Sequence, residues 1–309
     1  MVSIIVPCYN EEETVEKFYE EFNSKTKELQ SLTDVELIFV DDGSRDKTLE
    51  KIKKVQNMTE SGSITVRYIS FSRNFGKESA MYAGLKESKG DYCAVMDVDL
   101  QDPPDLLLEM YQELSNPATT YDCVATKRQT REGEPKLRSL LSEMFYKIIN
   151  RHSETEIVNG ARDYRLMRRK MVDAVCSLSE RSRFSKGLFS WVGFTTKWIS
   201  YNNIERVAGT TKWNFWKLFK YALEGFSSFT AIVLKLPLFG VVFGFLGLTA
   251  VIILSCTKVI ADINTALILG VMAFILSFVS LCFWIVSFYI EKIMKELRHR
   301  PIYIVKERG

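Results

Sequence analysis

The sequence predicts an α/β protein built on a doubly wound, mostly parallel sheet and followed by an apolar helical appendage. Three observations carry that prediction. Short apolar runs recur along the N-terminal third, each ending in a polar or acidic cluster. Helix-like segments separate them, the alternation that yields parallel strands joined by crossover helices. Beyond about residue 225 the composition turns strongly apolar, with two long uncharged stretches.

The first run, Val2 to Val6, passes through Pro7-Cys8 into Tyr9-Asn10-Glu11, a polar turn and an acidic helix start. The second, Val35 to Val40, ends in Asp41-Asp42-Gly43-Ser44, with Asp46 and Thr48 near the next helix start. The third, Ile64 to Phe71, ends in Ser72-Arg73-Asn74-Phe75-Gly76-Lys77-Glu78. The fourth, Tyr92 to Met96, ends in Asp97-Val98-Asp99-Leu100-Gln101-Asp102. Pro103-Pro104 then stops the strand and suits the opening of a helix. Carboxylates at the C-terminal ends of buried strands stand where open α/β sheets bind their ligands. A hard divalent cation held by one or two carboxylates fills its other positions with water and substrate phosphate. An isolated pair of aspartates one residue apart reads equally as a solvated turn; polar strand ends in series argue for a site.

The chain has 309 residues, room for one α/β domain of about two hundred residues and an appendage. Its net charge of +3 gives no basis for a nucleic-acid partner. Six scattered cysteines without a C-x-x-C read as buried thiols in a reducing compartment, and two distant histidines exclude a histidine-based metal site. The sequence opens directly on a strand, so no cleavable signal peptide is expected. Whether the protein forms a homo-oligomer is left open.

Leu236 to Cys256 and Ala266 to Ile290 carry no charge, and each is long enough to cross a hydrocarbon core of ~30 Å. Only Lys258 and Asp262 are charged between them, which predicts a transmembrane helical hairpin. Gly240, Gly244 and Gly247 recur on roughly one face and would let two helices approach closely. Lysines and arginines flank the outer ends of both spans (Lys217, Lys220, Lys235; Lys292, Lys295, Arg298, Arg300). That bias places both ends in the cytoplasm and makes the protein a multi-pass protein of the inner (plasma) membrane. Trp213 to Phe226 interleaves aromatics and leucines with lysines, as an amphipathic helix lying in the bilayer interface does. The expected division is a catalytic domain over 1–212, an interfacial helix over 213–230, the hairpin over 231–290 and a basic cytoplasmic tail over 291–309.

The strand-end motifs from Val6-Pro7-Cys8-Tyr9-Asn10-Glu11 to Asp97-Val98-Asp99-Leu100-Gln101-Asp102-Pro103-Pro104 continue through Asp163-Tyr164-Arg165-Leu166-Met167 and Arg206-Val207-Ala208-Gly209-Thr210-Thr211-Lys212-Trp213. In this order they resemble the family 2 glycosyltransferases of GT-A fold. Within that family the resemblance is to bacterial polyprenyl-phosphate (bactoprenol) glycosyltransferases and their relatives, the dolichol-phosphate mannose synthases. It implies an inverting, metal-dependent transfer of one sugar from a nucleotide sugar to a polyprenyl phosphate at the lipid bilayer, for cell-envelope glycosylation. The donor is expected to be UDP-glucose or UDP-N-acetylglucosamine. GDP-mannose transfer, or a non-catalytic membrane scaffold of the same fold, is the alternative. A processive polysaccharide synthase fits less well, because the chain lacks a Q-x-x-R-W motif and has fewer apolar spans.

The resemblance implies Mg2+ or Mn2+ held by Asp97, Asp99 and Gln101. Asp97 would touch the metal or the ribose, with Val98 beside it. Pro7, Tyr9, Glu11, Val40 and Asp42 would line the nucleotide pocket, and Arg206 and Lys212 would bind the diphosphate. Arg128, Arg131 and Arg138, with Lys127 and Lys136, form a cationic stretch able to hold the acceptor phosphate. A solvated basic loop is the competing account of that stretch. Asp163 is the expected base or acceptor-orienting residue. Arg162 stands beside it where many relatives have glycine, and an adjacent cation would lower its pKa.

Overall fold

The computed structural model describes residues 1–59, 63–128, 136–153, 155–201 and 263–309, with scattered positions between 223 and 249. Strands β1 (Val2–Cys8), β2 (Val35–Asp41), β3 (Ile64–Phe71) and β4 (Tyr92–Val95) match the four apolar runs to within two residues at their C-terminal ends. Between and after them come α1 (Val15–Lys25), α2 (Lys27–Leu32), α3 (Thr48–Met58), α4 (Lys77–Glu87) and α5 (Leu106–Ser115). The chain continues through β5 (Cys123–Arg128), α6 (Lys136–His152), β6 (Ala161–Arg168), α7 (Arg169–Ser177), α8 (Ser185–Trp191) and β7 (Thr196–Tyr201). It ends in α9 (Ile263–Leu297) and β8 (Val305–Arg308).

The strands form one sheet in the order β7-β5-β6-β4-β1-β2-β3-β8. Only β6 and β8 run against the others. Strand alternation sorts the side chains onto two faces. Val2, Ile4 and Val6 of β1, with Leu37 and Phe39 of β2, pack under α1, α3 and α5 against Phe18, Phe22, Ile52, Val55 and Met110. Ile5, Ile38 and Val40 pack on the opposite face against Ala80, Met81 and Leu85 of α4 and Val172 and Val175 of α7. The strands are therefore apolar on both faces, as a sheet covered by helices on both sides requires.

Residues Gly270–Leu297 of α9 form a 28-residue segment that contains an 18-residue stretch of mean hydropathy 2.4, long and apolar enough to cross a membrane by length and composition. The expected span from Ala266 to Ile290 lies within α9. Most of the first expected span and of the interfacial segment 213–230 lie outside the described residues. A Cβ added at Gly240 would sit 2.6 Å from the Phe278 ring, and one at Gly244 2.5 Å from the Phe274 ring. Gly247 has nothing within 4 Å. Two of the three glycines thus mark a close approach to α9.

The tail was expected only to be basic, and the sheet gives it a structural place. Strand β8 pairs antiparallel with β3, Ile69 against Arg308 and Phe71 against Val305. Tyr303 stacks on Phe71 with ring centroids 4.9 Å apart, and Glu307 meets Lys53 at 2.9 Å. Arg181 anchors the end of α9 through the Glu296 carbonyl at 2.8 Å. Without β8, the polar edge of β3 would be left open. Deleting 302–309 should lower the melting temperature by roughly 5–10 °C, from the ~2–4 kcal/mol of apolar and backbone contact removed. It should also loosen the loop that carries Asn74 to Lys77, which β3 feeds. An unchanged melting curve in detergent would show β8 to be a passive end.

Candidate active site

The loops after β1 and β2 are stitched together by side chains. The Asn10 and Glu11 amides donate to Ser44 Oγ at 2.9 Å and Thr48 Oγ1 at 2.7 Å, and the Arg45 amide donates back to Asn10 Oδ1 at 2.9 Å. Asn10 takes φ 54°, a left-handed conformation that asparagine tolerates. Gly43 packs so closely on the Arg73 backbone that a Cβ there would collide. Pro7, Tyr9 and Glu11 are all partly exposed on this edge.

Asp42 is buried at the same edge. Its carboxylate accepts from Asn74 Nδ2 at 2.9 Å and from the Phe75 and Gly76 amides at 2.6 and 2.9 Å. Burial pushes its pKa up to about 6, against the pull of those two amides. The carboxylate expected at the nucleotide pocket holds the β3–α4 loop in place. The side chain of Val40, also expected at that pocket, is buried under α4.

Alternation at the end of β4 turns Asp97, Asp99 and Gln101 outward and buries Val98 and Leu100. The side chain of Val98 belongs to the core cluster that packs under α1, α3 and α5. The Gln101 amide donates to Asp99 Oδ1 at 3.2 Å, and Leu100 takes φ 58°, a strained conformation for a leucine. The turn is held from below by Asp102, which is 1% exposed. Asp102 accepts from the Asp97 amide at 3.3 Å, Arg162 Nη2 at 3.1 Å and the Tyr201 hydroxyl at 2.9 Å.

Strand β6 brings the last carboxylate. Tyr92 pairs with Arg168 and Val95 with Arg165 in the antiparallel ladder, and extending that register sets Asp97 opposite Asp163. Lys77 closes the gap. Its Nζ lies 2.7 Å from Asp97 Oδ1 and 2.7 Å from Asp163 Oδ2. It is the first residue of α4, and Gly76 before it takes φ 98°, which a side chain would strain. Burial pushes the Asp163 carboxyl up, but Lys77, then Lys186 and Arg165, outweigh it and hold the group well below the usual carboxylate range. The pKa is lowered as expected, through a different cation. Arg162 points to Asp102, and Lys77 makes the contact.

Beside this pair, Glu78 accepts from the Ser185 amide at 3.0 Å and from its hydroxyl. Burial, then the Asp163 charge, raises its pKa to about 7. A folded-state pKa above the unfolded ~4.3 favours the protonated form. That contribution is full below the unfolded value and is lost as pH rises through about 7. Glu78→Gln should therefore flatten the fall in melting temperature between roughly pH 4 and 7. An unaltered pH profile would remove Glu78 as its source.

No group of three or more His, Cys, Asp or Glu side chains able to hold a metal occurs among the described residues. The donors on this edge are hard oxygens from Asp97, Asp99 and Gln101, a set that suits a divalent cation completed by water and phosphate. Arg131, Arg206 and Lys212 lie outside the described residues, as do the side chains of Arg128 at the end of β5 and Arg138 in α6.

A family model described as glycosyl transferase family 2 matches residues 3–176. The chain is 36% identical over 318 residues to the bactoprenol glucosyl transferase of Shigella phage SfV, covering 99% of this chain and 98% of that one. It is 39% identical over 235 residues to the prophage bactoprenol glucosyl transferase homolog of Escherichia coli K12, covering 76% of this chain and 74% of the relative. The chain belongs to glycosyl transferase family 2. A solved mannosyltransferase of Pyrobaculum calidifontis, in complex with GDP-Man and Mn2+, shares the fold at a TM-score of 0.50 and 16% identity. That likeness covers 74% of this chain and 63% of the mannosyltransferase. The protein is thus a glycosyltransferase of GT-A fold. Lys77 and Asp102 are the residues of its candidate site to which sequence reasoning gave no role. A lysine opening a helix straight after a strand-end glycine, and an aspartate just before the helix-starting prolines, were the available signals.

Proposed function

We propose that this glycosyltransferase moves one sugar from a nucleotide diphosphate sugar, UDP-glucose or UDP-N-acetylglucosamine, to a polyprenyl phosphate at the cytoplasmic face of the membrane. The observation that carries the reading is the meeting of Asp97, Lys77 and Asp163 on the ligand-binding edge of the sheet, in a chain that resembles bactoprenol glucosyl transferases along its whole length. An acceptor phosphate oxygen attacks the anomeric carbon, the bond to the diphosphate oxygen breaks, and the nucleoside diphosphate leaves. A divalent cation on Asp97, Asp99 and Gln101 would neutralise charge on the departing diphosphate. Phosphate monoesters lose their second proton near pH 6, so the nucleophile is already an anion and needs no strong base. Asp163, held ionised, suits an orienting role. Arg206 and Lys212 would bind the diphosphate, and Arg128, Arg131 and Arg138 the acceptor phosphate.

Location in the membrane is supported by the fold. Because β8 pairs with β3, the chain on either side of the apolar segment lies in one compartment. A chain that leaves and returns crosses a bilayer an even number of times, so a crossing by α9 calls for another before it. Gly240 meeting Phe278 and Gly244 meeting Phe274 run in opposite senses, the order of an antiparallel helix pair. The hairpin read from 231–290 satisfies both. The test is direct. The full chain in detergent, with undecaprenyl phosphate and a panel of nucleotide sugars, should give a lipid product heavier by one sugar, and excess EDTA should stop it. No lipid-linked sugar from any donor would leave a scaffold of this fold as the better reading.

A further inference from the structure

Lys77 occupies the centre of the candidate site, and neither the motifs nor the comparisons give it a task. Its ammonium, on a side chain 39% exposed, touches both Asp97 and Asp163 at 2.7 Å. The register between β4 and β6, extended two residues past Val95 and Arg165, sets those two carboxylates opposite each other. Like charges so placed repel unless a cation stands between them. The lysine cannot easily move away, because it opens α4 from a glycine cap whose loop is fastened by three hydrogen bonds to buried Asp42. Lys77 bridges Asp97 and Asp163, so a cation that takes the Asp97 oxygen held by Lys77 must displace it.

We propose that Lys77 is a positioning residue that fixes Asp163 and competes with the divalent cation for Asp97. The site then binds metal weakly until the donor diphosphate supplies further oxygens, and Lys77 thereafter stays with Asp163. This rests on the assignment of the metal to Asp97 and Asp99. It makes opposite demands on two measurements. Removing the ammonium should improve metal binding in the absence of nucleotide, because the competitor is gone. It should also impair turnover, because Asp163 loses the contact that orients it.

Mn2+ alone is titrated into the full chain in detergent, followed by calorimetry or by the loss of the free Mn2+ resonance. Lys77→Met should bind Mn2+ about tenfold or more tightly than the wild type, the scale of a lost charge-assisted contact. Its kcat should fall ~10- to 100-fold, with a smaller change in KM for the nucleotide sugar. Lys77→Arg keeps the charge in a longer, planar group and should lie between the two in both readouts; it also serves should the methionine variant fail to fold. Asp99→Asn is the control that separates the two readings. If Asp99→Asn binds Mn2+ like the wild type, the metal assignment fails. If Asp99→Asn loses Mn2+ while Lys77→Met, or the arginine variant in its place, binds it no better than the wild type, the metal site stands and the role given to Lys77 is overturned.

Discussion

Asp99→Asn is expected to abolish sugar transfer while leaving the domain folded. The side chain is partly exposed at a strand end, so the core does not depend on it. Asparagine keeps the oxygen that accepts the Gln101 amide at 3.2 Å, which preserves the turn. What it removes is the charge. A cation neutralising a diphosphate leaving group supplies several kcal/mol to the transition state, so the loss should be roughly a thousandfold or greater in kcat/KM. The melting temperature should move by no more than ~2 °C, the reach of a surface substitution. Activity within tenfold of the wild type would sink the metal assignment, and so would full wild-type activity in excess EDTA.

The contrast with Asp97 shows how much the sequence could say. Both aspartates stand in the same motif, and alternation predicts that both face outward, as they do. Sequence also placed Asp163 at the site, because its motif resembles the family's. What it could not show was that β6 runs antiparallel to β4, which puts Asp163 beside Asp97. Lys77 was hidden for the same reason, since it approaches from a third strand's loop. Strand alternation also accounts for the burial of the Val40 and Val98 side chains in the two core layers.

The tail is the other instructive case. Val305 to Arg308 is too short and too charged to read as a strand by pattern, and its partner β3 is more than two hundred residues away in the chain. Such pairing is set by tertiary context. It changes how a truncation should be interpreted: a fragment ending before the apolar segment loses an edge strand of the sheet along with that segment. Poor transfer by that fragment alone would therefore not isolate the role of the apolar segment.

Asp102→Ala is expected to be the most destabilising single change on this edge. The carboxylate is 1% exposed and joins three segments that sequence separates: the Asp97 turn, Arg162 of β6 and Tyr201 at the end of β7. Alanine leaves the Arg162 guanidinium, on a side chain 16% exposed, without its carboxylate. Breaking one partner of a buried pair typically costs ~3–5 kcal/mol, which corresponds to a fall of roughly 10 °C in melting temperature. The loss separates into two parts. A double variant, Asp102→Leu with Arg162→Met, removes both charges and should recover much of the stability, since apolar replacement of a buried pair is often close to neutral. It should not recover activity, because the Asp97 amide and the Tyr201 hydroxyl still lack the acceptor that sets the turn. If the double variant regains stability and transfer together, Asp102 serves only the fold. If it regains stability alone, the carboxylate positions the Asp97–Gln101 turn, and through Tyr201 it ties that turn to the end of β7.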